Sequence, residues 1–348
     1  MEDYPRTIVE LERRFSTEEA CRDYLYSLRW PEGFACPRCG AADVWRATRG
    51  RLVCRGCRHQ ASVTAGTIFQ DTHKPLVLWF RAIWHVVGQK NGTSAVSIQN
   101  ILGLGGYSTA WTWLHKLRRA MVRPGRDRLG GRVEIDETFV GGPARDVGRR
   151  TDQKSIVLVA AEENGSGIGR IRLARIPDTR KKTLHQFIQN EVARGATLHT
   201  DGLVAYRGLD ALGYTHHATA LLREKDVAAA ARLLPRVHRV ASLLKRWLLG
   251  THQGAVHAEH LDYYLDEFTF RFNRRTSRSR GKLFYRLLQQ AVEIEPVPYH
   301  TLVAGQKIPT TTSSSGGVNW ITTTNEHIRW RGQKQGKNGG TDGNTRYH

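Results

Sequence analysis

The residues most able to do chemistry are two aspartates set in strand-like runs. Asp136 lies in Val133-Glu134-Ile135-Asp136-Glu137-Thr138-Phe139-Val140, and Asp201 closes Leu198-His199-Thr200-Asp201-Gly202. A carboxylate at such a place is costly unless something binds it. The chain carries 53 Lys and Arg against 32 Asp and Glu, a net charge of +21. Two such carboxylates, a βαβ length apart in a basic chain, point to a divalent metal and a phosphodiester, because magnesium takes hard oxygen ligands shared between carboxylates and phosphates. The helix expected after Pro235 offers a third ligand. His238 and Lys245 are seven residues apart and nearly superimposed on one face, beside an apolar face of Val237, Ala241, Leu244 and Leu248. Two readings stay open: a neutral imidazole binds metal while Lys245 holds a phosphate, or His238 is an ordinary exposed helix residue. Glu134, Glu137 and Asp152 read as caps or surface charges.

A second site is structural. Cys36-Pro37-Arg38-Cys39 and Cys54-Arg55-Gly56-Cys57 are two C-x-x-C knuckles around a hairpin-like stretch. Four thiolates at this spacing suit tetrahedral zinc, which stands in for a core in so small a module. Disulfides or buried thiols are the alternative, disfavoured in a cytosolic chain. Cys21 lies outside the pattern and reads as a packed helix residue. Further on, Thr93-Ser94-Ala95 starts a short helix with Val96, Ile98, Ile101 and Leu102, and a glycine turn leads to a second helix from Ser108. In that helix Ala110, Leu114, Leu117 and Met121 form the inward stripe and Thr109, Thr112, Lys116 and Arg119 the outward one. This is a helix-turn-helix pattern with a basic DNA-reading face.

The elements that must position these residues follow from periodicity and breakers. Residues 1–29 are expected as an N-terminal helical arm, with Ser16-Thr17-Glu18-Glu19 offering a cap inside the run. Residues 30–70 form the cysteine module and 75–122 the helix-turn-helix region. Strands at 132–140, 155–162 and 169–176 predict an antiparallel meander, followed by a helix at 182–194, a strand at 196–200 and helices from 226 to 294. That order is expected of an RNase H-like α/β domain over 128–295, a mixed sheet with flanking helices. Residues 296–348 are Thr-, Ser- and Gly-rich and are expected to be a disordered, low-complexity tail. Hydrophobic content of 40% supports sizeable cores. The pI near 10.2 points to a polyanionic partner, nucleic acid first. No stretch has the length of a membrane span and the polar start is unlike a secretory signal, so the protein is expected to be cytoplasmic with reduced cysteines.

Taken together, these residues resemble the zinc-ribbon insertion-sequence transposases of the ISXO2-like superfamily, over roughly residues 10 to 290. The resemblance rests on Phe34-Ala35-Cys36-Pro37-Arg38-Cys39-Gly40, Tyr107-Ser108-Thr109-Ala110-Trp111, Glu134-Ile135-Asp136-Glu137-Thr138 with Gly141-Gly142, and His199-Thr200-Asp201-Gly202. It also rests on Ser242-Leu243-Leu244-Lys245-Arg246-Trp247-Leu248 and Tyr264-Leu265-Asp266-Glu267-Phe268. The resemblance implies a DDE-type transposase that cuts and rejoins double-stranded DNA at element ends and in target DNA. It implies magnesium or manganese at the catalytic site, a structural zinc, and a homo-oligomer on DNA. Asp136 and Asp201 correspond to the first two metal ligands, and His238, with 36 residues between it and Asp201, stands where glutamate is commonest. Lys245 falls where that family places a basic residue, and Glu267 is the fallback carboxylate. Two other functions share parts of the pattern: a DNA-binding regulator with an inactive RNase H-like domain, and a structure-specific metal-dependent nuclease.

Overall fold

The computed structural model describes residues 2–123, 125–141, 154–219, 233–254 and 256–305. Asp152, Gly142 and the sequence from 306 onward lie outside the described residues.

The N-terminal run is divided by its own cap. Thr17 Oγ1 accepts the Ala20 amide at 3.2 Å, separating α1 (Ile8–Arg14) from α2 (Glu18–Arg29). These helices are not a separate arm. Leu11, Phe15 and Leu25 share a core with Trp79 and Phe80 of α3 (Leu76–Gly88), Leu114 of α5 (Tyr107–Ala120) and Phe284 of α9 (Arg280–Glu293). Residues from the expected segments 1–29, 75–122 and 128–295 thus contribute to one core. The apolar stripe of α9 packs against α2, α3 and α5 rather than against the sheet, so chain from beyond the sheet completes the N-terminal helical core.

Between these helices sits a three-stranded antiparallel sheet of β1 (Val44–Arg46), β2 (Leu52–Cys54) and β3 (Gln60–Ala61). It has a small core of its own, Phe34, Cys36, Leu52, Cys54 and Ala61. Helix α4 (Ala95–Leu102) is capped by Ser94 and ends at Gly103, whose φ of +61° makes the left-handed turn toward α5.

The larger sheet has the order β6-β5-β4-β7-β8. Strands β4 (Arg132–Val140), β5 (Ser155–Asn164) and β6 (Gly167–Ile176) form the expected antiparallel meander. After α6 (Lys181–Glu191), β7 (Thr197–Thr200) returns parallel to β4, and β8 (Thr215–Ala218) is parallel to β7. One face buries Val157, Val159 and Leu173 beneath α7 (Pro235–His252) and α8 (Leu261–Asn273). The other buries Val133, Ile135 and Leu198 against Leu184 and Ile188 of α6. Part of the expected tail is ordered: α10 (Tyr299–Val303) follows Val297, and Val297 and Leu302 pack on Tyr263. Among the described residues no helix is long and apolar enough to cross a membrane.

Candidate active site

Strand register brings the two aspartates together. Arg132, Val133 and Glu134 pair in parallel with Thr197, Leu198 and His199. Two residues beyond Glu134 and His199 lie Asp136, midway along β4, and Asp201, just past the end of β7, side by side. Equal offsets on parallel neighbours preserve the facing, so both follow the side of the sheet that α7 covers.

Helix α7 is held over this point by a buried carboxylate. Glu134, 6% exposed, accepts the Arg236 and Val237 amides at 2.7 and 3.0 Å and the Arg236 guanidinium at 2.8 Å. An anion on the free amides of a helix start is worth up to about 2 kcal/mol. Glu134 is thus a cap, as its sequence suggested. Val237, Val240, Leu244 and Leu248 bury one side of α7, which leaves His238 and Lys245 on the side lining a cavity of about 350 Å³ with Asp136, Glu137 and Ser242. His238 Nε2 lies 3.1 Å from Asp136 Oδ2. The hydrogen bond to Asp136 raises the histidine pKa, against a lowering by burial. In this arrangement Nε2 is a donor to Asp136, and a ligand role requires that proton to leave.

Glu137 was not expected here. Alternation along β4 turns it to the opposite side from Asp136, toward Tyr206, whose hydroxyl donates to Glu137 Oε1 at 2.5 Å. Yet β7 ends before it, and ligand oxygens of Asp136, Glu137 and Asp201 all lie within 4.8 Å of one another. Burial raises the Glu137 carboxyl to about 7, reinforced by Asp201 and Asp136. Burial and the Asp136 charge likewise raise Asp201. Three mutually repelling carboxylates gain from a shared cation. An octahedral magnesium with oxygens at about 2.1 Å spans oxygen pairs of roughly 3.0 to 4.2 Å, so the donor set fits a hard divalent ion.

Glu267 does not belong to this cluster. It is 1% exposed, and burial, which would raise its carboxyl, is overcome by Arg271 and Arg118, which hold it down at about 2. Arg118 Nε donates to it at 2.8 Å and Arg271 Nη2 at 2.6 Å. Arg271 also donates to the Gln89 and Val86 carbonyls at the end of α3. The fallback carboxylate is therefore a buried tie between α5, α8 and α3.

The four cysteines do converge. Their sulfurs lie within 4.8 Å of one another, Cys36 to Cys57 and Cys39 to Cys54 each at 3.6 Å. A disulfide needs about 2.05 Å, whereas tetrahedral zinc with bonds of about 2.3 Å sets sulfurs roughly 3.8 Å apart. The geometry fits zinc. Cys21 is buried in the helical core, as expected.

The expected DNA-reading stripe divides. Arg119 is 4% exposed; burial lowers its pKa, and Tyr263, Glu295 and Asp266 stand close enough to oppose that. Its outward placement is corrected, because α8 and α9 pack on that side of α5. Thr109, Thr112 and Lys116 are half-buried and border an open groove of about 610 Å³ with His73 and Lys74. Lys116 donates to the Gln70 carbonyl at 3.4 Å and Thr112 to the Ser108 carbonyl at 2.7 Å.

Comparison with known proteins matches two family domains. Residues 128–273, which include Asp136, Asp201, His238 and Lys245, match the ISXO2-like transposase domain, and residues 16–60, with all four cysteines, match the transposase zinc-ribbon domain. The chain is also similar to an uncharacterized protein in transposable element ISH50 of Halobacterium salinarum. The two are 26% identical over 295 residues, covering 78% of this chain and 95% of the relative. The chain thus carries a transposase zinc-ribbon domain followed by an ISXO2-like transposase domain.

Proposed function

We propose that this protein is an active DNA transposase that cuts and rejoins strands at the ends of an insertion sequence. The observation that carries the reading is the meeting of Asp136 and Asp201 on adjoining parallel strands, with Glu137 beside them, inside a transposase-family domain. The strand order, three antiparallel strands with two parallel ones added beside the first, supports an RNase H-like catalytic domain. The pair α4 and α5, joined by the Gly103 turn, supports a helix-turn-helix reading in which Thr109, Thr112 and Lys116 meet DNA.

Asp136 and Asp201 would hold magnesium or manganese, with Glu137 or His238 completing the set. When bound, such ions polarise the phosphoryl oxygens and lower the cost of generating the attacking and leaving oxygens. Tyr206 keeps a proton on the Glu137 side of the cluster. His238 orients Asp136, and Lys245 neutralises a phosphate at the cavity mouth. Joining two element ends calls for two copies of the site, hence a homo-oligomer on double-stranded DNA, acting in the cytoplasm. The test is cleavage of a duplex carrying the element ends, with and without magnesium, by the full chain and by Asp201→Asn. Magnesium-dependent nicking and joining of the ends to target DNA by the first alone support the reading, nicking without joining supports a nuclease, and DNA binding without cleavage by the unmodified chain supports a regulator instead.

A further inference from the structure

A second basic cavity lies apart from the carboxylate cluster and shares no lining residue with it. It has a volume of about 680 Å³ and is enclosed by the segment after α5, β6, the end of α8 and the outer side of α9. Seven Arg and Lys residues line it against two carboxylates, Asp127 and Glu293. Three of the cations are committed elsewhere. Arg126 and Arg172 pair with Glu191 at 3.0 Å each, and Arg170 pairs with Glu162 at 2.6 Å. The remaining four converge on the opening.

Arg274 is the inner one. It stacks 4.1 Å over the Phe270 ring and, among the described residues, has no carboxylate partner. Burial and the charges of Arg123 and Arg286 bring its pKa down to about 10. Arg123, Lys282 and Arg286 stand at the rim with side chains 55%, 48% and 43% exposed. Arg123 approaches Asp127 at 3.9 Å and stands within electrostatic range of Glu293. Lys282, at 3.3 Å, and Arg286 share a single carboxylate, that of Glu2 near the chain start. Like charges gathered around a partly buried arginine are unfavourable unless an anion joins them. The cavity is far larger than one phosphate, and its cations line an opening rather than enclose a point, which suits successive phosphates of a strand.

We propose that this cleft binds the phosphodiester backbone of duplex DNA, through Arg123, Arg274, Lys282 and Arg286, and that Glu2 is the internal carboxylate a phosphate displaces. The proposal rests on the DNA reading above. Backbone contacts of this kind set affinity and register without reading sequence.

The test measures binding of the full chain to labelled duplexes, with and without element ends, across a salt series. Lys282→Gln with Arg286→Gln alters only exposed side chains, and an unchanged melting temperature verifies its fold. Loss of two phosphate contacts should weaken both duplexes alike, roughly 60-fold at 0.1 M salt, and reduce the log–log salt slope by about 1.8. Glu2→Gln should strengthen binding, and either duplex should protect Lys282 from acetylation. If the unmodified chain binds duplex while the double variant keeps its affinity and slope, this inference is overturned and the transposase reading stands. If inorganic phosphate protects Lys282 and DNA does not, the cleft is a small-anion site and the inference is likewise overturned. A chain that binds no duplex overturns both.

Discussion

Replacing Glu267 with glutamine separates a buried structural carboxylate from a metal ligand. Glu267 and Arg118 are 1% and 2% exposed, and Arg271 makes the second pair at 2.6 Å. Breaking a buried pair by removing one partner costs about 3–5 kcal/mol, because the other charge is left uncompensated. Linkage gives a similar magnitude: a carboxyl moved from 4.5 to about 2 by Arg271 and Arg118 corresponds to about 3 kcal/mol at neutral pH. At about 2–4 °C per kcal/mol for a large domain, Glu267→Gln should lower the melting temperature by about 6 °C or more. Thermal unfolding followed by circular dichroism measures this. Metal-dependent cleavage per folded molecule, at a temperature where the variant is folded, should survive. A variant as stable as the unmodified protein yet devoid of cleavage would refute the reasoning and return Glu267 to the list of ligands.

The cysteine quartet predicts one zinc per chain by elemental analysis, and Cys54→Ser should lose both the zinc and the fold of residues 30–61. His238→Ala should reduce cleavage strongly if the imidazole completes the metal site, and His238→Glu should preserve or raise it with magnesium, a harder ion than imidazole prefers; alanine activity equal to the unmodified protein's would assign completion to Glu137. Burial, then Arg118, holds the His252 pKa down at about 4. A histidine lowered in the folded state contributes stability fully present above its unfolded value near 6.5 and lost as pH falls toward 4. About 3 kcal/mol should therefore be lost over that window. In His252→Gln the fall in melting temperature between pH 7 and 5 should be shallower, and an unchanged slope would contradict the assignment.

The aspartates and cysteines were legible because their chemistry depends on spacing that survives folding. Equal offsets along parallel β4 and β7 make Asp136 and Asp201 neighbours, and the knuckles fix the sulfurs locally. Glu137 was hidden by the same alternation that revealed Asp136: a residue on the opposite side of a strand is excluded until one knows that β7 stops short of it. Arg119 was misplaced because periodicity shows which side of a helix is polar, not what covers it. A long arginine stem tolerates burial where Tyr263, Asp266 and Glu295 receive its head. Helix α9 showed an apolar stripe, but nothing local says which core accepts it. Strand β8, Thr215-His216-His217-Ala218, carries no apolar alternation at all, since among the described residues it pairs only with β7.

The central claim is that Asp136 and Asp201 form one metal-dependent phosphodiester site. Its most direct test is a paired measurement of element-end binding and magnesium-dependent strand cleavage for Asp136→Asn and Asp201→Asn. Each variant should bind end DNA within about twofold of the unmodified chain, since neither residue lies in the helix pair or the basic cleft. Each should cleave at less than about one-thousandth of its rate, as the loss of several kcal/mol of transition-state stabilisation requires. Cleavage retained by either variant, or binding lost together with cleavage, would contradict the account.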